Sequence, residues 1–210
     1  PVLMALDARL LLRQGTRERE IALDAFYLDY MKKDLAADEI VAAIEVPLPA
    51  AGLQIRSWKL SKRFDSDISA VCGAFALRLE DGVVRAPRIA FGGMAATPRR
   101  AARTEAALDG RPWIEATLAL ALQALAADFS PLTDMRASAG YRRRAAAGLL
   151  RRLFLETRAD APLAADQTRV FAAFDPGAAQ PRAANTDASS TRGNEEKVVP
   201  LMRLRSSRRA

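Results

Sequence analysis

Ile68-Ser-Ala-Val-Cys-Gly-Ala-Phe-Ala-Leu-Arg-Leu-Glu-Asp-Gly-Val-Val-Arg-Ala-Pro-Arg-Ile-Ala-Phe-Gly92 decides the fold. Asp81-Gly82 divides it into two apolar runs, and this dipeptide suits a tight hairpin turn that needs positive φ at both positions. Ile68 to Leu79 and Val83 to Gly92 therefore read as paired antiparallel strands. Upstream, the Pro49-Ala-Ala-Gly52 turn opens a third strand over Leu53 to Leu60. Downstream the pattern turns helical. Thr97-Pro98 supplies an N-cap and a first-turn proline, and Asp109-Gly110 closes that helix. Trp113 to Asp128 is a second helix, and Ser138 to Thr157 a third that opens on Ser138 as N-cap. A three-stranded antiparallel sheet followed by helices is an α+β layer arrangement.

The chain before this unit is also β-rich. Residues 2–6 read as the end of a helix, and Ala8 to Gln14 with Arg19 to Leu23 as a hairpin around Gly15-Thr16. Glu39 to Leu48 carries Ile40, Val41, Ile44 and Val46 and ends at Pro47 and Pro49, which stop a strand. The expected organisation is a first unit over 1–50, a sheet-and-helix unit over 51–158 and a disordered tail over 159–210. The tail is rich in Asp, Gln, Pro, Asn, Ser, Thr and Arg with few sustained apolar patterns.

Composition excludes much chemistry. The 210 residues contain one cysteine and no histidine. Thiolate zinc sites, iron–sulfur clusters held by this chain alone and any His-based triad are ruled out. Any chemistry must come from a bound cofactor. A lone cysteine suits a reducing compartment, hence a cytoplasmic location. No apolar run approaches the ~18 residues of a membrane span, and residues 1–15 do not read as a signal peptide. The net charge of +7 permits an acidic or nucleic-acid partner without establishing one. Because the sequence opens Pro-Val-Leu-Met-Ala-Leu, it reads as a piece of something longer.

Lys59-Leu-Ser-Lys-Arg-Phe-Asp-Ser-Asp67 carries far more charge than a turn requires. It is either a solvated, self-neutralising turn or a nucleotide or flavin contact, with cations for phosphate or ring carbonyl and a carboxylate for a ring or ribose edge. Phe91-Gly-Gly-Met-Ala-Ala-Thr-Pro98 lacks phosphate-loop spacing and favours a structural role. Arg142, Arg143, Arg144, Arg151 and Arg152 sit on a helix whose apolar stripe reads Tyr141, Ala145, Leu149, Leu153, with Leu150 and Phe154 beside it. They read as a solvated face, or as partners of acidic groups on another subunit. No aromatics are interleaved, so a nucleic-acid partner is not expected. Cys72 reads as a buried small hydrophobe, and Trp58 and Trp113 as packing residues.

Taken in order, these segments resemble a known family. Phe26-Tyr-Leu-Asp-Tyr-Met-Lys with Asp38-Glu-Ile-Val-Ala-Ala-Ile-Glu-Val-Pro47, Lys59 to Val71, Phe91-Gly-Gly-Met-Ala95 with Thr97-Pro98 and Ala101, and Asp134-Met-Arg-Ala-Ser-Ala-Gly-Tyr-Arg-Arg143 carry the likeness. Residues 1 to about 157 resemble the later part of the FAD-binding region of the xanthine dehydrogenase small subunit, in the molybdenum hydroxylase flavoprotein family. Residues 51–158 resemble the CO dehydrogenase flavoprotein C-terminal-like domain. The family's first flavin loops and cysteine-rich domain would precede Pro1, so the resemblance implies truncation at the N-terminus.

The likeness implies an oxidoreductase portion in which electrons from hypoxanthine or xanthine hydroxylation at molybdenum pass through iron–sulfur clusters to FAD, then to NAD. It implies FAD as cofactor, with 2Fe-2S clusters and molybdopterin in the missing domain or in a molybdenum-binding large subunit. By the same resemblance Ile40 and Val41 give backbone or apolar contact to FAD, Lys59 a polar contact, and Asp67 a carboxylate near the ring. Ser66 stands where some members carry an acid. The fragment alone is expected to be inactive. The alternatives are the flavoprotein subunit of a CO or aldehyde dehydrogenase type enzyme, or a non-enzymatic basic binding or assembly module.

Overall fold

A computed structural model describes residues 1–63, 67–164, 166–168 and 202–205, the last as backbone. It is an α+β arrangement of two four-stranded, mainly antiparallel sheets and a two-stranded ribbon with helices.

The first unit opens on helix α1 (Val2–Ala5) and the hairpin β1 (Arg9–Gln14) and β2 (Arg17–Ala22), in register from Arg9↔Ala22 to Gln14↔Arg17. A short helix α2 (Leu23–Phe26) leads into a two-stranded ribbon of β3 (Tyr27–Asp29) and β4 (Lys32–Lys33). Strand β5 (Ile40–Pro47) then pairs antiparallel with β1. Met4, Leu10, Leu12, Leu23, Phe26 and Val46 form the small core of this unit.

The second unit holds β6 (Leu53–Leu60), β7 (Val71–Glu80) and β8 (Val83–Gly92) in the expected antiparallel order. Asp81 and Gly82 both take positive φ, +51° and +75°, as the hairpin reading requires. Successive residues of β7 face opposite ways. Phe75 and Leu77 pack under the helices, whereas Ala74 and Ala76 meet Ala5 of α1. Small side chains on that face admit α1 against the sheet. A strand covered on both faces reads as a continuous apolar run, which is why the segment was legible.

Three helices cover the other face: α3 (Ala102–Leu108), α4 (Glu115–Asp128) and α5 (Ala139–Thr157). Leu108, Leu118, Leu125, Leu150, Leu153 and Phe154 seal the main core. Ser138 Oγ accepts from Tyr141 N at 3.2 Å, so it caps α5 as expected.

The first of these helices departs from the expectation. Thr97 and Pro98 do not open it; Arg99–Arg100 instead adds a fourth strand, β9, beside β8. Helix α3 begins later and is capped from a distance: Asp128 accepts from Arg103 N (3.0 Å), Thr104 N (2.9 Å) and Thr104 Oγ1 (2.7 Å). Helix α4 likewise starts two residues after Trp113, because Trp113 N is used by Gly82 O at 2.7 Å. Trp58 and Trp113 do pack on the core.

Most of the region read as a disordered tail lies outside the described residues. Its described parts include a 3-10 turn over Asp166–Thr168 and a strand, β10 (Met202–Arg205), parallel to β5 with Met202↔Ile44.

Candidate functional site

Strand β6 ends at Leu60, β7 begins at Val71 and β8 ends at Gly92, so the 61–70 loop and the segment after Gly92 meet at one end of the second sheet. The loop over 61–70 is closed at its base by Ala70 N donating to Leu60 O at 2.7 Å. Within it Asp67 accepts from Arg63 N (2.8 Å) and pairs with Arg63 Nη2 (3.4 Å). That backbone donor, then the guanidinium, holds the Asp67 carboxyl below its usual range. Lys62 Nζ reaches across to Met135 O at 2.6 Å. A cavity of about 400 Å³ lies among Lys62, Arg63, Asp67, Ile68, Met135 and Arg136. Ile68 and Met135 are largely exposed at its rim, 64% and 80%.

The segment over 133–138 is built by side chains bonding to backbone. Asp134 Oδ1 accepts from Arg136 N (2.8 Å) and Ala137 N (3.1 Å), and Thr133 Oγ1 accepts from Ala139 N (2.9 Å). Those two backbone donors, then Arg142, depress the Asp134 carboxyl to about 2.

Arg142 corrects the sequence reading. It is buried rather than part of a solvated face. The buried stripe of α5 is Arg142, Ala146, Leu149, Leu150, Leu153 and Phe154; the four later residues are as expected, and Arg142 and Ala146 stand where Tyr141 and Ala145 were expected. Burial is compensated by three acceptors. Nη1 donates to Ala70 O and to Gly93 O (2.7 Å), and Nη2 donates to Asp134 Oδ1 (2.6 Å). Cys72 is half-buried, not fully buried.

Lys59 and Asp67 fall at this same sheet end. Lys59 pairs in register with Cys72 and is exposed. Residues alternate along β6, so Lys59 shares the face of Leu53 and Ile55, which pack with Ala5, Ala74 and Ala76. That is the face covered by α1, on the side of the first unit. Among the described residues the Lys59 side chain has no hydrogen bond or ion pair. Ile40 and Val41 lie in the other sheet, opposite Arg13 and Leu12 of β1, and both are exposed. No described contact joins them to Lys59 or Asp67.

A network beside Ile40 escaped the sequence reading. The Arg19 guanidinium donates to Glu39 (2.7 and 2.8 Å) and to Asp34 (3.2 and 3.3 Å), fixing the approach to β5. Arg19 and the Ala36 N–H bring Glu39 down to about 2, and Glu39 and Asp34 raise Arg19. The alternation of Arg and Glu over 17–20 was the available signal.

Lys59, whose side chain has no partner among the described residues, is a donor that a carbonyl or phosphate oxygen could accept from, and Ile40 and Val41 are exposed apolar surface on the other sheet. Among the described residues no cluster of His, Cys, Asp and Glu suits a metal, and no helix is long and apolar enough to cross a membrane.

In comparison with known proteins, residues 1–49 match the FAD binding domain in molybdopterin dehydrogenase, and residues 56–157 match the CO dehydrogenase flavoprotein C-terminal domain. The chain belongs to the FAD-binding region of the molybdenum hydroxylase family. The 2Fe-2S and molybdopterin sites of that family belong to other domains.

More particularly, the chain is similar to a nicotinate hydroxylase of Emericella nidulans, 33% identical over 150 residues (68% of this chain, 11% of that protein). The xanthine dehydrogenase FAD-binding subunit of Escherichia coli O157:H7 is 29% identical over 137 residues (65% of this chain, 47% of that subunit). Among solved structures, CO dehydrogenase from Hydrogenophaga pseudoflava superposes with a TM-score of 0.68 at 29% identity, covering 71% of this chain and 52% of that one. The chain thus spans about a tenth of the length of the first curated relatives and about half of the CO dehydrogenase chain.

Proposed function

We propose that this chain is part of the FAD-carrying portion of a cytoplasmic xanthine dehydrogenase. In that reading it serves purine catabolism, taking electrons that leave hypoxanthine or xanthine at a molybdenum-binding large subunit and delivering them to NAD. The observation that carries the flavin part is Lys59, exposed on the sheet face turned toward the first unit with no side-chain partner among the described residues. Likeness to a xanthine dehydrogenase FAD-binding subunit supports the purine assignment and the separate molybdenum subunit.

FAD supplies the redox chemistry when bound. Lys59 donates to an oxygen of the cofactor. Ile40 and Val41 cover an apolar part and keep water from it. Asp67, held ionised by Arg63, sets the charge at the ring edge and tunes the approach of a second cofactor. The likeness to nicotinate hydroxylase and to CO dehydrogenase favours a second reading, in which the same flavin portion serves another substrate.

The test is Lys59→Ala in the complete flavoprotein. A lost hydrogen bond from a charged group is worth about 1.5–3 kcal/mol, so FAD affinity falls roughly 10- to 100-fold, read as flavin content after dialysis. Unchanged flavin content refutes the role of Lys59. Assaying the unmodified enzyme with hypoxanthine, nicotinate and carbon monoxide, with NAD as acceptor, decides the substrate.

A further inference from the structure

Arg142 is given no role in the flavin reading, yet its side chain makes three hydrogen bonds beside that site. Its guanidinium bonds three loops that are far apart in sequence. It holds Ala70 O at the return of the 61–70 loop, Gly93 O just beyond β8, and the Asp134 carboxylate of the 133–138 segment. The first of these loops carries Lys62, Arg63 and Asp67. Nε is buried with no partner among the described residues, so the group sits where two carbonyls and a carboxylate can be reached together, at the expense of that donor.

Gly93 is shaped to the same contact. Its φ is +79°, and a Cβ there would drive into the Ala70 carbonyl and come within 2.9 Å of Arg142 Nη1. Only a residue without a side chain lets the Ala70 and Gly93 carbonyls converge on one nitrogen. The guanidinium fork matters because an ammonium is a single point donor and cannot span three acceptors.

We propose that Arg142 is the positioning residue of the candidate flavin site: it fixes the 61–70 loop against the ends of β7 and β8 and so sets where Asp67 and its neighbouring cations stand. The assignment of a ligand to that loop rests on the flavin reading; the clasp itself does not.

The experiment is amide hydrogen exchange on the 210-residue chain with three variants. Arg142→Lys keeps a charge and loses the span. Asp134→Asn keeps the acceptor for Arg136 N and Ala137 N and removes the charge. Gly93→Ala leaves the guanidinium and obstructs its seat. Arg142→Lys and Gly93→Ala are expected to speed exchange in 61–70 and 133–138 about tenfold, with β7 and α4 unchanged, and Asp134→Asn to do so less. Should Arg142→Lys fail to fold, the other two still decide. Loop exchange unchanged in the folded variants, or raised no more than in β7 and α4, overturns the proposal. Midpoint potential of FAD is measured in parallel in the complete flavoprotein, and Arg142→Lys is expected to shift it. Absence of FAD from the complete flavoprotein counts against the flavin reading alone, since loop exchange in the 210-residue chain still reports on the clasp.

Discussion

Glu105 gives the sharpest test of how the second unit is held together. It is buried on α3. Oε1 accepts from Ile89 N at 2.7 Å and from Arg100 Nε at 2.9 Å, and Oε2 accepts from Arg100 Nη2 at 2.7 Å. Beyond the β9 pairing with Ala90 and Phe91, Ala101 N still donates to Ile89 O at 2.8 Å, but the Ile89 N–H meets the Glu105 carboxylate instead of a strand carbonyl. Glu105→Ala leaves the amide of a fully buried residue without an acceptor, about 1–3 kcal/mol. It also strips Arg100 of its bidentate partner, although that guanidinium is partly exposed and keeps Asp24 at 3.7 Å, so the ~3–5 kcal/mol for breaking a fully buried pair must be reduced. A total near 3 kcal/mol lowers Tm by about 6–12 °C for a domain of this size. Glu105→Gln retains an acceptor for Ile89 and should cost about 1 kcal/mol, or about 2–4 °C. Thermal melts followed by circular dichroism measure both. If the two variants melt together, charge rather than the Ile89 acceptor governs; if Glu105→Ala shifts Tm by less than about 2 °C, the reasoning is wrong.

Two further outcomes are expected. Asp128→Ala removes the remote cap of α3 and should cost about 1–2 kcal/mol, visible as a lower denaturant midpoint at constant slope; Asp128→Asn should recover most of it. Glu39 and Asp134 both have folded values near 2, below their ordinary 4.5 and 3.8. Depressed acids stabilise the fold above their unfolded values, and that contribution is lost as pH falls through the folded ones. Tm measured from pH 5 to pH 2 should therefore fall, and Glu39→Gln should flatten the decline; a Tm indifferent to pH over that window rejects the two assignments.

Strands β6 and β8 were legible to the residue, because apolar runs bounded by Pro49-Ala-Ala-Gly52 and Asp81-Gly82 are local signals. The start of α3 was not. Thr97-Pro98 is a sound local cap, but pairing of Arg99–Arg100 with β8 and a cap supplied by Asp128 overrode it, and neither is visible within one turn of sequence. Arg142 was misplaced for a related reason. Its charge argued for solvent, while its spacing from Ala146, Leu149 and Leu153 placed it on the buried stripe, and only the fold shows the three acceptors that reconcile the two. Of the candidate site, the charge density of the 61–70 loop was visible in the sequence. That Lys59 faces the first unit depended on α1 docking against Ala74 and Ala76.

The distant cap of α3 also orders events in time. Asp128 closes the C-terminal end of α4, where a carboxylate opposes the helix dipole, so this end of α4 gains its partner only when the N–H groups of α3 arrive. Each helix finishes the other. During synthesis the chain must extend past Asp128 before α3 can persist, and until then the amides of Ile89 and Ala86, which the finished α3 segment serves through Glu105 and Asp109, stay open on the edge of β8. A nascent chain arrested between these two helices would thus expose a pairing-competent strand edge beside the loop that Arg142, still later in the sequence, has yet to fasten.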